Sequence, residues 1–259
     1  MLDRDYESFK EQLKKDTGID LSLYKESQMK RRLASLKDKK GFGTFSSLYG
    51  EMKRNKGLMD EVLDRITINV TEFFRNPTRW KVLEEDIFPK MIEKKRKIKC
   101  WSAACSSGEE PYTLTMILRN FLKAEEIEVV ATDIDKNILE RAMEGIYDEA
   151  SLKNVSPSLV SKYFKKINES EYEISNEIKK MVTFKKQNLL NDSFQKGFDL
   201  IICRNVAIYF TEEAKEELYR KFSESLNPGG ILFVGSTEQI FYPEKYNLQV
   251  GEAFFYEKK

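Results

Sequence analysis

Apolar residues recur at helical spacing through the first quarter of the chain. Three rows repeat every three or four residues: Tyr6, Phe9 and Leu13; Met29, Leu33 and Leu36; and Leu58, Val62 and Ile66. Such rows are typical of the buried face of an amphipathic helix. Glycines at Gly18, Gly41 and Gly43 interrupt the pattern, as they do where helices end. Residues 1–66 are therefore predicted to form an all-helical domain of three or four helices.

The pattern changes from Lys97 onward, where short apolar runs alternate with helical stretches. The runs are KIKCWSAA, IEVVATDID, MVTFKKQNLL, FDLIICRNV and GILFVGST. Alternation of this kind predicts a mainly parallel sheet with helices on both faces, and ligands bind such sheets beyond the carboxyl ends of the strands. We assign residues 81–259 to this α/β domain and residues 67–80, with their Asn76-Pro77 turn, to a junction that contributes to the active site.

One segment, at about residues 146–182, departs from that alternation. Around Tyr172 and Ile174, the stretch INESEYEISNEIKK alternates apolar and polar residues. Strict alternation favours half-buried antiparallel strands, so a small β-hairpin is predicted as an insertion in the α/β domain.

Composition and charge limit the protein class. The chain has 259 residues, of which 41% are hydrophobic and 34% charged, with a net charge of +1. These values are typical of a soluble globular protein, and the net charge is too small to attract nucleic acid to the protein as a whole. No apolar run reaches the roughly 20 residues of a membrane span, and the first twenty residues lack a signal-peptide core. We therefore expect a cytoplasmic protein without membrane insertion.

Residue types that commonly catalyse reactions or bind metals are scarce. The chain contains no histidine, which excludes imidazole bases, Ser-His triads and most transition-metal sites. Its three cysteines, Cys100, Cys105 and Cys203, lack metal-ligand spacing and are interpreted as buried, reduced thiols. No metal is expected.

The first strand leads into the turn SAACSSGEEPY, which suggests a particular ligand. Its single glycine, Gly108, is followed by Glu109 and Glu110, whose carboxylates would repel a phosphate. Asp133 ends the second strand, 25 residues beyond Gly108, where an acid can accept hydrogen bonds from ribose hydroxyls. S-adenosylmethionine carries a ribose and positive charge but no phosphate, so it fits this pattern. Alternatively, the two glutamates only complement the dipole of a helix N-terminus.

Six motifs carry a family resemblance. They are NVTEFFRNP, WSAACSSGEEPY, ATDID, NLL, CRNVAIYF and GSTEQIF. In this order and spacing, over almost the whole chain, they resemble the CheR family of chemotaxis receptor methyltransferases. The resemblance implies a Rossmann-like methyltransferase that uses S-adenosylmethionine and releases S-adenosylhomocysteine. It implies methyl transfer to glutamate side chains on the cytoplasmic helices of chemoreceptors, and we expect a monomer.

The resemblance also implies site residues. Its cofactor-binding positions are Asn69, Thr71, Arg75, Glu110, Asp133, Asn188, Leu189, Arg204 and Asn205. The choice between Glu109 and Glu110 stays open at this stage, with Glu110 favoured. Arg75 and Tyr209 would be the catalytic pair, although Arg75 could instead cap a helix or form a structural ion pair, and Tyr209 could be a core aromatic. The family often has Gly-His-Ser-Glu where this chain has Gly-Ser-Thr-Glu at 235–238.

A basic stretch in the helical domain is the candidate docking face. KESQMKRRLASLKDKK contains seven basic and two acidic residues. We predict that Lys25, Arg31, Arg32 and Lys39 dock an acidic receptor helix; the alternative is a solvated charged face.

Two other functions are weighed against this one. A nucleic-acid methyltransferase would share the fold, but the chain is nearly neutral and lacks an Asn/Asp-Pro-Pro-aromatic motif. A non-catalytic sensor of the cofactor would not need Arg75 and Tyr209. The sequence does not name the receptor, its glutamates or a partner for the hairpin.

Overall fold

A computed structural model describes residues 2–259, with side chains from residue 4 onward. The chain divides into two units. The helical unit contains the chain up to Ile68 and, in addition, Val206–Leu218. The sheet unit contains Asn69–Asn205 and Tyr219–Lys259.

Four helices form the first part of the helical unit: α1 (Leu2–Thr17), α2 (Glu26–Lys39), α3 (Phe45–Met52) and α4 (Lys56–Thr67). All nine apolar residues of the three predicted rows are buried. Side chains satisfy the free amides at two helix starts. Asp5 of α1 accepts hydrogen bonds from the amides of Phe45 and Ser46, at 2.6 and 3.0 Å, and Asn55 accepts one from Leu58 at 3.1 Å. The predicted all-helical N-terminal region is confirmed.

The second part of the helical unit is a segment far away in sequence. It comprises a short 3₁₀ turn, Ala207–Tyr209, and the beginning of helix α11 (Glu212–Ser225). Backbone hydrogen bonds join the Lys25 amide to the Tyr209 carbonyl at 2.8 Å and the Thr211 amide to the Leu23 carbonyl at 2.9 Å. Tyr24 and Phe210 also form an antiparallel bridge, with their rings edge to face. This pairing fixes the backbone of Tyr209 against the start of α2.

A seven-stranded sheet organises the other unit, in the order β6-β2-β1-β7-β8-β10-β9. Its strands are β1 (Ile98–Ala103), β2 (Ile127–Asp133), β6 (Val182–Lys186), β7 (Phe198–Cys203), β8 (Leu226–Val234), β9 (Leu248–Val250) and β10 (Phe255–Lys258). The first five in the sheet order are parallel, and β10 is antiparallel to β8 and β9. The helices are α5 (Pro77–Val82), α6 (Phe88–Lys94), α7 (Glu109–Leu118) and α8 (Lys136–Glu144), with a π-helical turn, Leu83–Ile87, between α5 and α6. The predicted α/β class is confirmed.

The inserted antiparallel structure is also present, and it is larger than a hairpin. β3 (Ile146–Asp148), β4 (Phe164–Lys166) and β5 (Glu171–Ile174) form a three-stranded sheet in the order β3-β5-β4. Two short helices accompany it, α9 (Pro157–Tyr163) and α10 (Asn176–Lys179). The strand that the prediction missed, β3, has only three residues, too few for an alternating pattern to be visible in the sequence.

The central strands are buried and almost wholly apolar, as strands covered on both faces are. Every residue of β7 is buried, including Asp199. The Asp199 carboxylate accepts hydrogen bonds from Lys95 Nζ at 2.6 Å, the Lys99 amide at 3.0 Å and Asn227 Nδ2 at 2.7 Å, which compensate for its removal from water. Within residues 2–259, no helix is long and apolar enough to cross a membrane.

Candidate active site

The turn between β1 and α7 has an unusual backbone. Ala104, Ser106 and Gly108 all have positive φ angles, of 60°, 50° and 95°. A Cβ atom on Gly108 would lie 3.0 Å from Ala142 Cβ and 3.1 Å from the Tyr147 hydroxyl, so a larger residue is both strained and crowded there. Left-handed residues other than glycine are costly, and they concentrate at functional sites. The small residues of this turn let its backbone approach a ligand closely.

Asp133, at the end of β2, faces this turn. Its carboxylate accepts hydrogen bonds from the Ser106 amide at 2.9 Å and from the Asp135 amide at 3.0 Å. Burial raises the pKa of Asp133 to about 6, against the lowering effect of those two amides. Each carboxylate oxygen retains a lone pair, so the group can accept two further hydrogen bonds from neighbouring hydroxyls of a ligand.

Glu110 and Glu109 have different surroundings. Glu110 accepts a hydrogen bond from the Ser102 hydroxyl at 2.8 Å, and its other oxygen lies 3.5 Å from Arg204 Nη1. Burial raises the pKa of Glu110, and the Arg204 cation opposes that effect. Glu109 instead accepts a hydrogen bond from Ser107 at 2.7 Å, and burial raises its pKa to about 7. Only Glu110 is therefore joined to the polar residues at the ends of β1 and β7.

Arg204 follows β7 and is buried, with 7% of its surface exposed. Its Nη2 atom donates at 2.8 Å to both the Arg75 carbonyl and Asn76 Oδ1. The guanidinium carbon lies 5.6 Å from the ring centre of Trp80 and 4.9 Å from that of Phe233, which is close enough for cation–π attraction. Arg204 therefore links the predicted junction to Glu110 and the end of β7.

The junction residues lie along the same edge of the sheet unit. Asn69 Nδ2 donates to Asp135 Oδ2 at 2.9 Å, which joins the start of the junction to the loop after β2. Arg75 Nη1 donates to the Val70 carbonyl at 2.8 Å, and the Arg75 carbonyl also accepts from Trp80 Nε1 at 3.1 Å. Thr71 lies between Val70 and Arg75 in the chain and is half-buried.

Asn188 and Leu189 follow β6, beside the end of β2. The Asn188 amide donates to Asp192 Oδ2 at 2.8 Å, and its side-chain oxygen accepts from the Leu190 amide at 3.0 Å. Leu189 is buried, and its carbonyl accepts from Lys221 Nζ at 3.1 Å. This fixed turn offers a ligand an apolar side chain and backbone polar groups.

Sequence reasoning did not select Ser102 or Glu238 for the site. Glu238 is buried and accepts hydrogen bonds from the Asn205 amide at 2.5 Å and the Gly235 amide at 2.9 Å. Asn205 has a positive φ of 62°, and a Cβ on Gly235 would lie 2.3 Å from Glu238 Oε2. The GSTEQIF motif could have drawn attention to Glu238, but Ser102 is indistinguishable from any other small strand residue in the sequence.

The remaining predicted residues lie in the helical unit. Tyr209 ends the 3₁₀ turn described above, and Lys25 immediately precedes α2. Arg31 and Lys39 on α2 are exposed, whereas Arg32 is half-buried. Lys25 is half-buried as well, so Arg31 and Lys39 are the exposed members of the four predicted docking residues.

The sheet-unit residues fit the cofactor that the resemblance implies. Among the described side chains, three buried polar atoms lack a hydrogen-bond partner: Ser106 Oγ, Ser175 Oγ and Arg204 Nε. Ser106 Oγ and Arg204 Nε belong to this edge, where a ligand or its water would satisfy them. Asp133 has acceptor capacity that a ribose could use, and the Glu110 carboxylate could pair with an ammonium group. Over the part of the chain from residue 2 onward, no cluster of three or more potential metal ligands occurs.

Comparison with known proteins identifies the family. The family model described as "CheR methyltransferase, all-alpha domain" matches residues 4–67, and "CheR methyltransferase, SAM binding domain" matches residues 69–254. The proteins similar to the chain include three named chemotaxis protein methyltransferase. That of Listeria monocytogenes is 44% identical over 258 residues, covering 99% of this chain and 98% of the relative.

The other two relatives are more distant. The protein of Borreliella burgdorferi is 38% identical over 236 residues, covering 86% of this chain and 83% of the relative. Protein 1 of Pseudomonas aeruginosa is 32% identical over 268 residues, covering 98% of each chain. Since the two family models match almost all of the chain, it belongs to the CheR family of S-adenosylmethionine-dependent methyltransferases.

Proposed function

We propose that this protein methylates glutamate side chains on the cytoplasmic helices of chemoreceptors. The observation that carries the proposal is the polar edge of the sheet unit. Asp133 ends β2 and Arg204 follows β7, while Glu110, in the first turn of α7, contacts Ser102 of β1 and Arg204. The relatives are named chemotaxis protein methyltransferases, which supports a receptor as the acceptor.

Asp133 and Glu110 would bind the two ends of the cofactor. Asp133 would accept hydrogen bonds from the two ribose hydroxyls, because its carboxylate is already oriented by two backbone amides. Glu110 would balance the positive charge of the methionine end, and its contacts with Ser102 and Arg204 support the choice of Glu110 over Glu109. Arg204 Nε, which lacks a partner among the described residues, would donate to the cofactor carboxylate.

The other cofactor residues would complete this pocket. Asn188 and Leu189 would border the adenine, Asn69 and Thr71 would approach from the junction, and Asn205 would present its backbone near the methionine end. Two contacts support these roles, because each fixes a segment that would contact the cofactor. Asn69 donates a hydrogen bond to Asp135, and the Asn205 amide donates one to Glu238.

The reaction requires alignment more than acid–base chemistry. Bound S-adenosylmethionine supplies a sulfonium methyl, whose transfer to a carboxylate oxygen breaks the S–C bond and leaves S-adenosylhomocysteine. A glutamate side chain has a pKa of roughly 4.3 and is already ionised at neutral pH, so the protein does not have to remove a proton. A chain without histidine can therefore perform this transfer.

Arg75 and Tyr209 would orient the acceptor carboxylate. The planar guanidinium of Arg75 can donate two parallel hydrogen bonds to a carboxylate, and its present partner, the Val70 carbonyl, is exchangeable. Tyr209 can donate one hydrogen bond from its hydroxyl. Holding the acceptor in line with the methyl group is worth on the order of 7–11 kcal/mol in well-oriented reactions.

The receptor would dock on cations at the start of α2 and along it. Arg31 and Lys39 are exposed, and Lys25 lies at the start of the helix, so acidic residues of a receptor helix could pair with them. In this proposal residues 1–66 form the substrate-docking domain, residues 67–80 contribute to the active site, and residues 81–259 form the methyltransferase domain. The protein would act as a monomer in the cytoplasm, where the receptor helices lie.

The proposal is tested with methyl-labelled S-adenosylmethionine and membranes that contain the organism's chemoreceptors. Label should appear on receptor bands and be released as methanol by mild base, as a methyl ester requires. Cofactor binding without label on receptors would contradict the acceptor and favour a sensor. Label on RNA or DNA that depends steeply on salt would favour the nucleic-acid alternative.

The docking face is tested by reversing charge at its exposed positions. Arg31→Glu with Lys39→Glu should raise the receptor KM several-fold at low salt and leave S-adenosylhomocysteine affinity unchanged. Lys90→Glu with Lys196→Glu is the matched control, because both lysines are exposed in the sheet unit. Equal effects of the two pairs would contradict a docking face on α2.

A further inference from the structure

Arg32 lies against Tyr209 within the helical unit. Its guanidinium carbon is 5.9 Å from the centre of the Tyr209 ring, close enough for cation–π attraction, and the phenol acts on the guanidinium as a favourable electrostatic partner. Arg32 is half-buried, in contrast to the exposed Arg31 beside it. The side chain that was predicted to contact a receptor is therefore engaged with a residue of the proposed catalytic pair.

A second contact fixes the direction of the Arg32 side chain. Its Nε atom donates to the Arg65 carbonyl, in the last turn of α4, at 3.2 Å. A guanidinium is planar and rigid, so a hydrogen bond from Nε limits where the other nitrogens can point. The contact with α4 therefore directs the rest of the guanidinium toward the phenol.

The backbone of Tyr209 is held by the same region. The Lys25 amide donates to the Tyr209 carbonyl at 2.8 Å, and Tyr24 and Phe210 form the adjoining bridge. Lys25 directly precedes α2, and Arg32 lies about two turns further along that helix. One helix and the residues before it thus hold both the main chain and the side chain of Tyr209.

We propose that Arg32 is a positioning residue for methyl transfer, which orients the Tyr209 hydroxyl toward the acceptor carboxylate. A guanidinium can only donate hydrogen bonds, so in the working geometry it would occupy a lone pair of the phenol oxygen. The phenol hydrogen would then be free to donate in another direction, to a carboxylate. This inference rests on the role proposed above for Tyr209.

The electrostatic surroundings agree with such a role. Burial and the nearby Arg65 cation lower the pKa of Arg32, and the Tyr209 phenol acts in the opposite direction. A cation held near another cation and partly out of water is costly, so it needs compensating contacts. The Arg65 carbonyl and the Tyr209 side chain provide them. A residue that served only to attract receptor acids would more simply stay in solvent, as Arg31 does.

An Arg32 that positions Tyr209 and an Arg32 that docks the receptor predict different kinetics. Arg32→Lys keeps the charge but cannot reproduce the fork between the Arg65 carbonyl and the phenol. If Arg32 positions Tyr209, both Arg32→Lys and Arg32→Gln should lower kcat roughly tenfold to a hundredfold, with little change in the receptor KM. Arg31→Gln removes the same charge one residue away and should raise KM without lowering kcat.

A double-mutant cycle tests the coupling directly. Steady-state kcat is measured with a receptor cytoplasmic fragment for Arg32→Gln, Tyr209→Phe and the double variant. The double variant should be about as slow as Tyr209→Phe alone, because Arg32 would have no hydroxyl left to orient. S-adenosylhomocysteine affinity and the unfolding midpoint of each variant show whether a loss of kcat reflects misfolding.

Two other results would overturn the inference in different ways. If Tyr209→Phe is slow but Arg32→Lys keeps normal kcat, or the two losses multiply in the double variant, Arg32 does not act through Tyr209 and the proposed function stands. If Tyr209→Phe transfers methyl groups at the normal rate, the catalytic role of Tyr209 and the role of Arg32 both fail.

Discussion

Arg204 Nη1 lies 3.5 Å from the Glu110 carboxylate in the sheet unit, where Arg204 is buried and the Glu110 side chain is only 12% exposed. The same guanidinium donates to the Arg75 carbonyl at 2.8 Å. A pair of this kind balances the charge of a largely desolvated carboxylate before any ligand arrives. Because Arg204 Nε still lacks a partner among the described residues, the pair retains capacity for a ligand that carries both a carboxylate and an ammonium group.

Glu110 and Glu109 should differ in their effect on cofactor binding. Glu110→Gln keeps the shape but removes the charge that would pair with the ammonium group. A hydrogen bond to a charged group contributes roughly 1.5–3 kcal/mol, so S-adenosylhomocysteine affinity should fall by about tenfold to a hundredfold. Glu109→Gln should stay within about twofold, since Glu109 bonds only to Ser107 in the described contacts. Isothermal titration calorimetry checks both, and the reverse ranking would reassign the contact to Glu109.

Arg75→Ala should remove most of the receptor methylation activity while the fold stays intact. The contacts with Trp80 and Arg204 use the Arg75 backbone carbonyl, which the substitution retains. Losing the side chain should lower kcat by a factor of about a hundred, because the acceptor carboxylate would no longer be aligned.

Arg75→Lys tests whether the positive charge at residue 75 is sufficient or whether the planar guanidinium is required. A lysine cannot donate two parallel hydrogen bonds, so it should recover only a small part of the rate. Near-normal turnover in Arg75→Ala, with an unchanged circular dichroism spectrum, would remove Arg75 from the catalytic pair.

Cofactor affinity should depend on pH through Asp133. The pKa of its carboxyl in the free protein is raised to about 6, and a ribose is bound best by the ionised form, which accepts two hydrogen bonds. Affinity should therefore be constant above about pH 7 and weaken as the pH falls through 6. Asp133→Asn should bind more weakly at pH 8 and lose this dependence. An equally steep dependence in Asp133→Asn would assign the titration to another group.

Glu109 should make the protein less stable as the pH rises. Its folded-state pKa of about 7 exceeds the ordinary value of 4.5, so the folded protein binds the proton more tightly than the unfolded chain. Its contribution is complete below pH 4.5 and is lost as the pH rises through 7, by on the order of 3 kcal/mol.

Glu109→Gln removes this titration and serves as the comparison. Its amide oxygen can still accept the Ser107 hydrogen bond, so the fold should persist. Urea unfolding midpoints at pH 5 and pH 8 should differ less in Glu109→Gln than in the unsubstituted protein. The same difference in both proteins would show that Glu109 is not the titrating group.

Local patterns in the sequence determined much of this protein. The rows containing Phe9, Leu33 and Val62 predict buried helix faces because a helix returns to the same face every three or four residues. The acids after β1 and β2 predict a shared edge because parallel strands end on the same side of a sheet. These inferences need only neighbouring residues, so the helical region, the α/β class and the candidate cofactor edge follow from the sequence.

Only the tertiary structure decided which distant groups meet. Ser102 and Glu110 form a hydrogen bond across the β1–α7 turn, and Glu238 holds the Asn205 amide from another loop. The sequence places Tyr209 after a sheet strand, yet its backbone pairs with Lys25 and its side chain contacts Arg32. Such contacts depend on how separate segments pack, and no periodicity along the chain encodes them. The candidate catalytic and cofactor-binding residues could therefore be chosen from the sequence, whereas the partners that orient them could be identified only in the folded chain.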